Sequence, residues 1–150
     1  MDNAQWVREA WAAVLVGDLA PLGAALAPDA VWRPVVEGPW NCESRTAIVN
    51  AMSYMVTKGL TGSIDDVTDV GDRVVVGFRP DHHAPQAWPL DNGVRYLVAT
   101  VSDGLVTELK GCATQAAALA YAAAGGASGG QDGDGDEDRV VEEVGDDRPQ

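Results

Sequence analysis

Apolar positions recur at helical spacing from the start of the chain. Val7, Trp11, Val14 and Leu15 fall at i, i+4, i+7 and i+8, one stripe of an amphipathic helix. The stripe predicts a helix over residues 3–16, with Trp6 and Ala10 widening its apolar face. Gly17-Asp18 then reads as a stop followed by a cap: glycine accepts positive φ and aspartate receives the next free N–H groups. Leu19, Leu22 and Leu26 give a second, shorter stripe, with Pro21 in the first turn, where a missing N–H costs little. Pro28-Asp29 signals a break, and residues 30–33 read as a short strand ended by Pro34.

After a loop containing Gly38-Pro39, Trp40 and Cys42, Ser44 caps a predicted helix over residues 45–58, with Gly59 just past its end. Ile48, Met52 and Met55 share its apolar face. From Leu60 the period changes. Residues 61–70 form a weak, exposed strand, and Gly71-Asp72 a hairpin turn. Residues 73–79, RVVVGFR, form a strand dense in β-branched side chains. Residues 80–92 are loop-like. Strands at 93–102 and 105–112 flank Asp103-Gly104, a strong hairpin dipeptide. An alanine-rich helix over residues 114–123 closes the domain.

A two-residue turn at Asp103-Gly104 pairs Val101 with Val106, Ala99 with Glu108, Leu97 with Lys110 and Arg95 with Cys112. Both faces of that hairpin are then partly apolar. Either both faces are covered, or a bulge switches the parity midway. A covered outer face would imply a homodimer.

The chain has 150 residues and a net charge of −13, which predicts one domain over residues 1–124 and a disordered acidic tail over 125–150. The tail holds nine acids and two arginines, a net of −7, and the body carries the remaining −6. With no basic stripe, the composition argues against nucleic acid and anionic membrane as partners. No apolar run reaches the length of a membrane span, the N-terminus lacks the pattern of a signal peptide, and two cysteines are too few for a disulfide framework. A cytoplasmic location with free thiols is expected.

The element order, helix, short helix, strand, helix, four strands, helix, comes with particular phrases: GDLAPLGAALAPDAVW, ESRTAIVNAM, VGDRVVVGF and VATVSDGLVTEL. Over residues 5–123 these resemble the SnoaL-like branch of the nuclear-transport-factor-2-like superfamily. The resemblance implies an α+β cystatin-like cone, a curved antiparallel sheet wrapped around N-terminal helices with an apolar cavity inside. Relatives use that cavity for polyketide cyclisation, steroid isomerisation, dehydration or epoxide hydrolysis. Others only bind ligands or dimerise, so the fold alone names no reaction. Cyclase-type relatives carry an acid near the entry to the last helix, where this chain reads Cys112-Ala113-Thr114-Gln115, and often a histidine after the first-strand tryptophan, where it has Arg33.

Within that frame the candidates are few, and each has a plainer reading. Glu108 is the acid/base candidate, lining the cavity beside Arg95 if their shared hairpin face is concave; otherwise it is a surface charge. His82, beside Asp81 and His83, is a candidate base or pocket lid; otherwise it belongs to a solvated loop. Trp32, Trp40, Met52, Tyr54 and Met55 suit the lining of a flat apolar or aromatic ligand, or plain core packing. The acidic run from Asp132 to Glu143 matches several positions of an EF-hand loop, but Glu137 stands where the turn needs glycine. No metal and no cofactor is expected. Three functions stay open: a small-molecule-binding cone, a cofactor-independent cyclase or isomerase, and a dimeric interaction module with a filled cone.

Overall fold

The first helix opens on Asp2, whose carboxylate accepts a hydrogen bond from the Gln5 amide at 2.8 Å. From that cap α1 runs Asn3–Val14 and buries Val7, Ala10, Trp11 and Val14. The computed structural model describes residues 2–35, 38, 41–81 and 91–127. Gly17 turns the chain at φ +87°, the conformation that favours glycine. Asp18 Oδ1 accepts from the Ala20 amide at 3.2 Å, and α2 (Ala20–Ala25) follows with a proline in its first turn.

β1 spans Leu26–Arg33, starting at Leu26 rather than at the predicted Ala30. Pro28 and Asp29 are exposed and fall where the strand pairing shifts register, so the proline interrupts the ladder without ending the strand. Next comes α3 (Arg45–Thr57), capped by Ser44 Oγ accepting from the Ala47 amide at 3.1 Å. β2 (Gly62–Val70), β3 (Arg73–Pro80), β4 (Arg95–Ser102) and β5 (Leu105–Cys112) lead to α4 (Gln115–Ala127). α4 reaches four residues beyond the predicted helix end at 123.

The five strands form one sheet in the order β1-β5-β4-β3-β2. β2 to β5 are antiparallel neighbours, but β1 joins β5 in parallel. The expected all-antiparallel sheet is therefore mixed at one edge. β1 and β5 are joined through the rest of the domain, and only such a long connection permits parallel pairing.

The β4–β5 hairpin decides which side chains face which layer. Asp103 (φ 53°) and Gly104 (φ 78°) form the turn, the two positive φ angles that suit a tight hairpin. Val101 pairs with Val106, but Thr100 pairs with Glu108, which leaves Thr107 as the extra residue of a bulge. Past the bulge Ala99 faces Leu109, and Tyr96 faces Cys112. The uniform pairing of Ala99 with Glu108 and Arg95 with Cys112 is corrected by that one residue.

Both sheet faces are covered. α1, α2 and α3 pack on the inner face, where Val74, Val76, Leu97, Ala99, Val101 and Leu109 join the main core. On the outer face Val75, Val94, Tyr96, Val98 and Cys112 pack with Ala118 and Ala122 of α4. The cover over the second face thus comes from the same chain, which removes the reason for inferring a homodimer from two apolar faces. No helix among the described residues is long and apolar enough to cross a membrane.

Candidate functional site

Strand alternation places residues 95, 97, 99 and 101 of β4 toward the inner layer. Leu97, Ala99 and Val101 fill the core there. Arg95 occupies the fourth inward position, next to Phe78 on the paired strand. It is only 2 % exposed. A cavity of about 30 Å³ opens against it, lined also by Trp11, Trp32, Met52, Met55, Phe78 and Leu97. The Trp11 and Trp32 rings stand 6.4 Å apart at 58°, within the range of tilted aromatic pairs. Among the described lining residues Arg95 carries the only charge, and no side chain offers an oxygen acceptor. Burial lowers the Arg95 pKa from its ordinary value, although a guanidinium remains a cation in proteins.

The volume sets a limit. About 30 Å³ is room for roughly one water molecule. A larger ligand has to displace side chains, and Met52 and Met55, unbranched with three rotatable bonds each, are the most adaptable of the lining.

Glu108 stands on the opposite face. Its carboxylate accepts from Arg33 Nε at 3.1 Å and from the Tyr121 hydroxyl at 2.6 Å. Arg73 Nη1 donates to the Tyr121 carbonyl oxygen at 2.7 Å, and its guanidinium lies 4.5 Å from the Tyr121 ring centroid. Burial and the hydrogen bond to Glu108 push the Tyr121 phenol up to about 12. The expected shared face of Arg95 and Glu108 is therefore corrected: the Thr107 bulge turns Glu108 outward, into a clamp on α4, away from the cavity.

Of the other predicted site residues, Trp32, Met52 and Met55 line the cavity together with Arg95. Tyr54 does not. It is 47 % exposed, with Lys58 Nζ 5.5 Å from its ring centroid. Two residues of an α-helix are about 200° apart, so Tyr54 faces away from the side on which Met52 is buried. Trp40 and His82, like the acidic run from Asp132 to Glu143, lie outside the described residues. Trp11, Leu60, Ile64, Val76, Phe78 and Leu97 complete much of the lining and were not singled out from the sequence as ligand contacts. Parity could have found three of them: Val76 and Leu97 pair across the ladder, and Phe78 pairs with Arg95. Among the described residues no group of three or more histidine, cysteine, aspartate or glutamate side chains is placed to hold a metal ion.

The fold has known counterparts. The family model of the SnoaL-like domain matches residues 7–109. Among solved structures, a cystatin-like-fold protein of unknown function from Xanthomonas campestris superposes with a TM-score of 0.60 at 20 % identity, over 74 % of this chain and 89 % of that one. A proposed polyketide cyclase from Sinorhizobium meliloti superposes with a TM-score of 0.57 at 20 % identity, over 72 % of this chain and 94 % of that one. A proposed SnoaL-like polyketide cyclase from Mesorhizobium loti gives a TM-score of 0.57 at 20 % identity, over 75 % and 99 %. Identities this low carry the fold and nothing finer. No curated protein matches the chain. With a curved sheet around N-terminal helices and a family match over more than half of the chain, the chain belongs to the SnoaL-like domain family.

Proposed function

We propose that this domain binds a small, largely apolar or aromatic molecule that presents one oxygen acceptor, and that Arg95 is the polar anchor. One observation carries the reading: a guanidinium 2 % exposed borders a cavity whose other described lining side chains are apolar. Its five N–H donors suit a carboxylate or carbonyl oxygen. Trp11 and Trp32 supply the aromatic wall. Two structural relatives are described as proposed polyketide cyclases, which supports an organic ligand and names no reaction. The described lining holds no carboxylate, imidazole or phenol, so the reading is of binding. Turnover of the cyclase or isomerase type would need a base from elsewhere.

A thermal-shift comparison of benzoate with toluene, a neutral ring that lacks the carboxylate, tests it. A ligand that binds only the folded state raises the melting temperature by mass action. Benzoate should stabilise the full chain more than toluene, and the difference should vanish in Arg95→Met. Equal, null responses to both would favour the filled-cone interaction module, the reading that the small cavity supports.

A further inference from the structure

α4 is joined to the sheet in an unusual way. Only Ala118 and Ala122 among its described side chains are fully buried, with the partly buried Tyr121 packed against the same strip, so two methyl groups and one tyrosine supply its described apolar adhesion. Leu119 is 38 % exposed and Ala116, Ala117, Ala120, Ala123 and Ala124 are exposed. The strip beneath is the reverse: Val75, Val94, Tyr96, Val98 and Cys112 are all buried, at 6 % exposure or less. Polar bonds add to that small apolar contact. Near its start the Gln115 amide donates to Asp91 Oδ2 at 3.0 Å, while Thr114 Oγ1 caps the helix by accepting from the Ala117 amide at 3.0 Å. In its middle Tyr121 is fixed from both sides, its hydroxyl donating to Glu108 and its carbonyl oxygen accepting from Arg73.

We infer that α4 is a releasable cover, pivoting at residues 113–114 and latched by Tyr121 to Glu108 and Arg73, and that its release bares the apolar strip while the inner core stays closed. The Glu108–Tyr121 bond is charge-assisted and short, the kind whose loss is felt most. Segments held by few apolar contacts open below the global unfolding free energy. Glu108 thereby gains a role as a positioning residue of the latch.

The chain carries its own reporters. Cys112 lies under α4, whereas Cys42 belongs to the inner core and donates through Sγ to the Ala47 carbonyl oxygen at 3.6 Å. Burial raises both thiol pKa values, so each reacts slowly until exposed. The experiment is native-state labelling of the full chain with N-ethylmaleimide, quantified separately for the two cysteine peptides. Tyr121→Phe keeps the ring over which Arg73 lies and removes only the hydroxyl. It should speed labelling of Cys112 about tenfold or more, the size expected for losing a hydrogen bond to a charged group, and leave Cys42 within about twofold. Glu108→Gln should give a smaller rise at Cys112 alone. If both cysteines accelerate together, or neither does, the latch is refuted. Hydrogen exchange on the unmodified chain serves should the variants fail to fold: amides of residues 118–122 must exchange before those of residues 97–99, because an undocked helix this short loses its protection. Equal protection in the two segments would overturn the inference.

Discussion

Arginines on the two faces of the one sheet meet opposite surroundings. On the outer face Arg33 is tied to Glu108, and Arg73 to the Tyr121 carbonyl oxygen and ring. Their side chains fasten elements together. On the inner face Arg95 borders a cavity walled by two tryptophans, two methionines and aliphatic side chains. The same residue type is cement on one side and, in the function proposed above, a recognition group on the other. The difference teaches that a cation's role follows from the side chains its face sets beside it. Strand parity places each arginine, and one bulged residue, Thr107, puts the Glu108 acceptor on the outer face.

The comparison can be broken at several points. The largest effect belongs to Trp32→Ala, which removes a side chain 4 % exposed from the cavity wall. It should cost about 3–5 kcal/mol of stability, read as a lower denaturant midpoint at unchanged slope. Arg73→Met should cost about 1.5–3 kcal/mol, the range for a hydrogen bond from a charged donor, by the same measurement. Arg95→Met should remove the difference between benzoate and toluene in the thermal-shift comparison, because it takes away the donors that would reach an oxygen acceptor.

A further effect is a pH dependence. Tyr121 keeps its proton in the folded chain up to about 12, whereas an unfolded tyrosine loses it near ~10. The folded state binds the proton more tightly, so this contribution is fully present below pH ~10 and disappears as the pH climbs to about 12. Urea midpoints measured across that window should fall in the wild type and fall less in Tyr121→Phe. The smallest expected change is Gly104→Ala, at φ +78° in the hairpin turn, which should cost about 1 kcal/mol of stability by chemical denaturation.

Much of the fold was legible because local signals agreed with it. Asp2 was not singled out, but Gly17-Asp18, Ser44 and Asp103-Gly104 all end or begin elements where caps and turns require them. The stripe of Val7, Trp11 and Val14 is buried as its spacing predicts. The site was less legible. Trp32, Met52, Met55 and Arg95 do come together at the cavity, but Glu108 was assigned to the wrong face. A bulge is a property of two strands in register, and no residue of the run LVTELK announces which position is extra. Tyr54 could have been excluded by helical phase, since it sits two residues from Met52. The parallel docking of β1 on β5 depends on closure of the whole sheet, which no local pattern encodes.

The central claim is that Arg95 in an apolar cavity recognises an oxygen acceptor on a small aromatic ligand. Its most direct test is a nitrogen–proton NMR titration of the full chain with benzoate, following the Arg95 Nε–H signal, with toluene as the neutral control. The account predicts that benzoate shifts the Arg95 signal together with the indole N–H signals of Trp11 and Trp32, and that toluene shifts the indoles while moving Arg95 much less. Benzoate shifts confined to surface groups, with Arg95 and both indoles unmoved, would contradict it.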